Sequence, residues 1–318
     1  MLHQLVHLQY LNWNDHSIPD NTKVIKSVYQ EFILPCLKSG LPFIAHCSAG
    51  VGRTGVLVGA VYFFDLFLHN QLTSIAHAMK LLRKQRAKSV QSLKQYAYMQ
   101  LLLVEMTEAT TKKSYPTIKE ALQKKKVLFA EMPKPISDYT IDKYPFIYQN
   151  LFQECIRVAE IDFKEYLKLA DKYETEINYV PPKCLLITNT ARSASTKYCP
   201  FCQYNNVYLR DETRVTLKNG EYIHASYIQS TPEGQKLIAA QAPLQTTTEE
   251  FWQMALQQKC QKILMLCRVV EDGKIKSQQY WPKAAGETLY FEKIDIQNIN
   301  VLQKTYKIGG KRESNVPT

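Results

Sequence analysis

Residues 42–55 read Pro42-Phe43-Ile44-Ala45-His46-Cys47-Ser48-Ala49-Gly50-Val51-Gly52-Arg53-Thr54-Gly55. The first five are short and apolar and lead directly into a glycine-bearing loop, the pattern of a buried strand. From Gly52 the chain reads as a helix running to Leu68. Between strand and helix stand a cysteine and, six positions on, an arginine, joined only by small residues. Such a loop can curl until successive backbone N–H groups point inward, and the helix that follows adds its positive N-terminal end. Arg53 would supply a planar fork for two oxygens of a bound phosphate. The same positive surroundings favour the thiolate, the nucleophilic form of cysteine. A plain strand-to-helix turn would account for Gly50 and Gly52. It would not account for Arg53 at a helix start, where the dipole disfavours a cation unless an anion sits there.

Upstream, residues 5–10 read as a strand followed by a Trp/Asn/Asp turn. Asp20-Asn21-Thr22 can cap a helix whose apolar face comprises Val24, Val28, Phe32 and Ile25, Tyr29, Ile33, and Pro35 should kink or end it. Downstream, helices are expected over 74–85 and 93–108. Residues 111–150, with prolines at 116, 133, 135 and 145, have the grammar of a linker, and a second helical region follows over 148–176. From Tyr204 onward strands are expected over 222–229, 236–241, 262–267 and 289–294, interrupted by a helix over 248–259.

Composition bounds the function. With 45% apolar and 22% charged residues the 318-residue chain can bury a sizeable core. The longest apolar run, 56–64, is far short of the ~20 residues a bilayer crossing needs, so no direct membrane insertion is expected. The N-terminus does not have the pattern of a signal peptide. Eight scattered cysteines in a chain of this size point to a reducing, cytoplasmic setting. Cys199-Pro-Phe-Cys202 reads as two thiols in a loop, because no second Cys/His pair with zinc-ligand spacing stands nearby. No metal-ligand cluster appears, and no cofactor is implied. The net charge of +11 is carried in runs such as 80–88 and 124–126 that lack aromatic interleaving, which argues against nucleic acid as a partner. A positive field suits anionic substrates.

The ten residues from His46 to Gly55 resemble the phosphate-binding signature of the cysteine-dependent protein tyrosine phosphatases at every defining position. Two further motifs flank it in family order. Trp13-Asn14-Asp15, with His16 and Pro19, resembles the mobile acid loop. Arg83 to Arg86, then Val90-Gln91-Ser92 and Gln95-Tyr96, resemble the segment whose glutamines hold the hydrolytic water. The second half is similar to the family's N-terminal part: Gln203-Tyr204-Asn205-Asn206-Val207 resembles the phosphotyrosine-recognition loop, and residues 222–228, 241–246 and Lys276 to Pro282 continue in family order. Three positions depart from the pattern. Asn14 replaces the acid-loop proline, Gln203 replaces an arginine, and Ser17 replaces a glycine.

The resemblance implies a family fold, α/β with a central twisted mixed sheet flanked by helices. It implies Cys47 as nucleophile, Arg53 as phosphate clamp and Asp15 as general acid and base. Thr54 would hydrogen-bond the leaving sulfur, Gln91 and Gln95 would hold water, and His46 would orient Cys47. Ser48, Ala49, Gly50, Val51 and Gly52 would bind phosphate, with Tyr204, Asn206 and Lys276 at the substrate. The partners implied are phosphotyrosine-containing proteins.

The order of the halves is inverted, with the C-terminal half of a phosphatase domain at 1–110, a linker at 111–150 and an N-terminal half at 151–318. Such an order suits either a fragment of a tandem receptor-type phosphatase, hence an intracellular part of a receptor, or a circularly permuted domain. Either half alone would leave strand edges unpaired and apolar faces open. The two are therefore expected to fold against each other, with Tyr204 near Cys47 and Lys276 near Asp15. Function then divides three ways: an active tyrosine phosphatase, a phosphotyrosine-binding pseudo-phosphatase, or sulfur or arsenate chemistry. The Asp15 and Gln91/Gln95 motifs count against the last.

Overall fold

Phe43–His46, three apolar residues and a histidine, form strand β2, and all four are buried as expected. The computed structural model describes residues 2–19, 23–69, 71–72, 75–92, parts of 95–106, 202–204, 207, 209–210, 212–230 and 236–303. The Asp20-to-Thr22 cap, the 111–150 linker, the 148–176 helical region, Cys199 and Asn206 lie outside the described residues.

Five strands form one sheet: β1 (Val6–Gln9), β2, β3 (Ala225–Ile228), β4 (Leu237–Ala240) and β5 (Lys262–Met265), in the order β1-β5-β2-β4-β3. β1 and β2 both run parallel to β5, β2 runs parallel to β4, and only β3 is antiparallel. Across β1, β5, β2 and β4 the strands thus alternate between residues 6–46 and 225–265, with β3 added at the edge. β4 is apolar throughout and, like β2, buried throughout, as a central strand covered on both faces is.

Helices cover this sheet. α1 (Lys23–Val28) continues through one π-helical stretch, Tyr29–Ile33, into α2 (Leu34–Ser39). Pro35 therefore kinks the helix and does not end it. Its ring cannot donate to the ladder, and the widened turn, in which the Leu34 N–H reaches Tyr29 O, absorbs the fault just ahead of it. α3 (Arg53–Leu68) is buried on nearly every side, so it carries little amphipathic signal. α4 (Ile75–Gln85) follows it, and α5 (Thr248–Gln257) lies between β4 and β5. Replacing a fully buried core ring such as Phe43 by alanine would cost about 3–5 kcal/mol.

Two short hairpins complete the described chain. β6 (Val270–Glu271) and β7 (Lys274–Ile275) are joined by Asp272-Gly273, both with positive φ (49° and 71°), the turn that matches strand twist best. The strand expected over 289–294 is instead the hairpin β8 (Thr288–Tyr290) and β9 (Asp295–Gln297). Glu292 and Lys293 turn the chain, and the Phe291 N–H closes on Ile294 O at 3.1 Å.

Candidate active site

The loop between β2 and α3 is built from the outside. Six consecutive carbonyls are each engaged. Cys47 O accepts from His46 Nδ1 at 3.1 Å, Ser48 O from Ala242 N at 2.9 Å and Ala49 O from Arg86 Nη2 at 3.1 Å. Gly50 O accepts from Arg86 Nε at 2.6 Å, Val51 O from Val90 N at 2.8 Å and Gly52 O from Val56 N at 3.0 Å. With carbonyls turned outward, the amides of Ser48 to Gly52 face inward, and among the described residues none of them meets an acceptor. That is an anion-binding nest at a helix N-terminus. Gly50 has φ +68°, and a Cβ there would overlap Ala240 O and crowd the Arg86 guanidinium.

Arg86 is the loop's buried anchor. Besides two loop carbonyls it reaches Ser226 Oγ at 3.1 Å and His224 Nδ1 at 3.3 Å, joining the loop to β3 and its approach. Burial lowers its pKa to about 10, which leaves it charged at neutral pH. Neighbouring Val90 sits at φ +62°, a strained conformation for a β-branched residue, held by its bond to Val51 O.

His46 is fully buried, and burial pushes its pKa down to about 4. Its Nδ1 must carry the proton, because its partner is a carbonyl. Nε2 therefore accepts from the Tyr280 hydroxyl at 2.6 Å, and that hydroxyl oxygen accepts from His7 Nε2 at 2.8 Å. A directed chain of hydrogen bonds thus runs from β1 to the backbone of Cys47.

Arg53 lies 1% exposed under the loop. Its Nη1 donates to Trp13 O at 2.8 Å and Glu271 Oε1 at 2.6 Å, and its Nη2 meets Asp15 Oδ1 at 3.3 Å. Burial alone would lower its pKa, but the Cys47 sulfur and the Glu271 carboxylate outweigh it and raise the value. Among the described residues the buried Arg53 Nε and the Thr54 hydroxyl have no partner. Asp15 also accepts from Lys276 Nζ at 2.6 Å. Burial would raise its pKa, yet Lys276 and Arg53 together hold it below the usual carboxylate value. Lys276 is raised in turn, because Asp15 overcomes the effect of burial. In the acid loop, the Trp13 indole donates to Ser17 O at 3.0 Å, while Ser17 N and Oγ both donate to Asn14 O, at 3.2 and 2.7 Å.

The remaining expected residues converge on the same loop. A Cβ on Gly52 would overlap Gln91 Oε1 and lie 3.4 Å from Gln95 Nε2, so both amides stand over the end of the nest. Gln95 Oε1 accepts from Gln91 N at 2.9 Å, and its buried Nε2 has no partner among the described residues. The Tyr204 hydroxyl meets Ser48 Oγ at 2.8 Å. Sequence reasoning assigned no role to Arg86, Glu271, Tyr280 or Gln203. Arg86 and Tyr280 stood inside quoted motifs, whereas nothing in the Val-Val-Glu-Asp-Gly run marks Glu271 as facing an arginine.

The family model described as protein-tyrosine phosphatase matches residues 2–105 and 199–312. The chain is 28% identical over 305 residues to Tyrosine-protein phosphatase 69D of Drosophila melanogaster, covering 93% of this chain and 18% of that protein. To Tyrosine-protein phosphatase Lar of the same organism it is 25% identical over 329 residues, 99% of this chain and 14% of the relative. To Receptor-type tyrosine-protein phosphatase C of Homo sapiens it is 27% identical over 296 residues, 87% and 20% respectively. The chain thus spans a fifth or less of the length of these relatives. Among the described residues no helix is long and apolar enough to cross a membrane. The matched residues make up more than half of the chain and include the Cys47 loop, and the chain belongs to the protein-tyrosine phosphatase family.

Proposed function

We propose that this protein hydrolyses phosphotyrosine in proteins through a cysteinyl-phosphate on Cys47. The carrying observation is the set of six outward carbonyls from Cys47 to Gly52, which leaves a ring of amides for three phosphate oxygens above the nucleophile. The Arg53 Nε without a partner is a donor for the same phosphate. In the first step the Cys47 sulfur attacks phosphorus in line as the P–O bond to tyrosine breaks, and Asp15 delivers a proton to the departing oxygen. Arg53 and the amides stabilise the charge on the equatorial oxygens. In the second step Asp15 takes a proton from water held by Gln91 and Gln95, the water oxygen bonds to phosphorus and the sulfur departs with the Thr54 hydroxyl as donor. Asp15 is held ionised without substrate, so the phosphate dianion itself must raise its pKa enough to load the proton.

Residues 1–110 and 151–318 act as one catalytic unit in this reading. The Tyr204–Ser48 contact at 2.8 Å, the Lys276–Asp15 ion pair at 2.6 Å and the alternation of strands support it. Free, buried thiols and the receptor-type relatives support work in the cytoplasm, beside or within a receptor chain. Asn14 in place of proline keeps a second reading in view, a pocket that binds phosphotyrosine and turns over slowly. Inorganic phosphate release from phosphotyrosyl and phosphoseryl peptides decides between them. Rapid release from the first alone is expected; tight binding of phosphotyrosyl peptide without release would select the second reading.

A further inference from the structure

Gln203 touches three separate elements. Its N–H donates to Gln241 Oε1 at 2.8 Å, just beyond β4. Its side-chain oxygen accepts from Ser48 Oγ at 3.2 Å, and its Nε2 donates to Ile275 O at 3.2 Å in β7. The proton order is fixed by chemistry. The Ile275 carbonyl needs a donor, so the amide nitrogen faces it, and Ser48 then gives its single proton to Gln203 Oε1. Tyr204 therefore donates to Ser48. The chain runs from the recognition tyrosine through the phosphate loop to the β6–β7 hairpin.

That hairpin carries both side chains that grip the catalytic pair. Glu271 binds Arg53 at 2.6 Å, and Lys276, next after Ile275, binds Asp15 at 2.6 Å. Cross-strand register puts Val270 opposite Ile275, both exposed and pointing away, while Glu271 faces the site. Beyond its own ladder the hairpin is tied by the Lys276 N–H to Val269 O bond, the Arg268 N–H to Glu271 Oε1 bond at 2.9 Å, the Gln203 bond to Ile275 and the two ion pairs, and its strands are little buried. We propose that Gln203 is a positioning residue that couples phosphotyrosine recognition at Tyr204 to the general acid, by holding Ile275 and so placing Lys276 against Asp15. An arginine there, the residue the family resemblance would lead one to expect, has no acceptor to offer the Ser48 hydroxyl, so it could not relay the bond in this direction. The inference rests on the proposed phosphatase reading for its kinetics but not for its structure.

The test uses Gln203→Met, which keeps length and removes both bonds, and Gln203→Glu, which keeps the acceptor for Ser48 and removes only the donor to Ile275. Turnover of a phosphotyrosyl peptide should fall roughly threefold to tenfold in Gln203→Met, the effect of one well-placed neutral hydrogen bond. Turnover of para-nitrophenyl phosphate, whose leaving group needs no acid, should change less than about twofold. Hydrogen exchange should speed up in residues 268–277 and 11–19 of both variants, with 43–46 and 53–68 unchanged. Equal losses on both substrates, or unaltered exchange in the hairpin, would overturn the coupling. Should the parent protein release no phosphate, exchange alone decides: acceleration in 268–277 upholds the coupling while the phosphatase reading falls.

Discussion

The phosphate loop and the acid loop meet at Arg53, yet they are held in opposite ways. In the phosphate loop every carbonyl from Cys47 to Gly52 is tied, by Arg86 and Val90 beyond α4, by Ala242 beyond β4 and by His46 and Val56 at the loop's own ends. In the acid loop the ties are few: the Trp13 indole, the Trp13 carbonyl on Arg53, a turn closed by Ser17 and the Asp15 ion pairs. His16 stands in the left-handed region at φ +55° with its side chain largely exposed. On the proposed mechanism, a cradle for phosphate must keep its shape through both chemical steps, whereas an acid must approach, donate and reverse its role. For that mechanism the contrast divides the site into a firmly tied frame and a lightly tied loop suited to move.

Removing the moving part should show the largest effect. Asp15→Ala should lower turnover of phosphotyrosyl peptide by ~10²–10⁴-fold, the usual range for acid–base catalysis, with a far smaller loss on para-nitrophenyl phosphate. Steady-state kinetics on both substrates measures it; equal losses would take the acid role from Asp15.

Breaking the frame should cost activity and stability together. Arg86→Met leaves the Ala49 and Gly50 carbonyls buried without donors, so we expect roughly 3–5 kcal/mol less stability and about 10²–10³-fold lower kcat/KM. Urea unfolding and kinetics read the two losses, which here should travel together on every substrate, unlike those of Asp15→Ala.

Stiffening the moving part should do little. The Asn14 N–H has no partner among the described residues, so Asn14→Pro removes no bond and restricts the unfolded chain. It should add about 0.4–1 kcal/mol of stability and change turnover less than roughly fivefold, read by thermal unfolding and by kinetics.

The frame should also respond to acid. His46 and His224 are buried with pKa values pushed down by burial to about 4 and about 3, against 6.5 when unfolded. The unfolded chain therefore binds more protons below 6.5, and this stability is full above that pH and drains away as pH falls toward 4. His7 is pushed down to about 3 as well, so the unfolding free energy should drop across that window with a slope approaching three protons, and His224→Gln should remove close to one of them.

The frame was more legible than the moving part. His46 through Gly55 carry their reading in residue type and spacing alone, since a buried strand, small loop residues and an arginine at a helix start are local signals. Lys276 came from family order, and its ion pair with Asp15 was reachable that way. Arg86 as an anchor was not, because its role depends on carbonyls 36 and 37 positions earlier in the chain. Glu271 sits in a run that reads as an exposed turn, and only the Asp272-Gly273 hairpin aims it at Arg53. The strand expected over 289–294 failed for a related reason: the turn at Glu292-Lys293 has no glycine or proline to mark it.

The central claim, that phosphate passes through the Cys47 sulfur, has a direct test in acid-quenched rapid mixing with a phosphotyrosyl peptide followed by mass spectrometry of the digested protein. The account predicts phosphate on the peptide containing Cys47 during turnover, and neither that adduct nor phosphate release from Cys47→Ser, whose hydroxyl is far less acidic than a thiol. Turnover without the adduct, or a Cys47→Ser protein working within about tenfold of its parent, would contradict it.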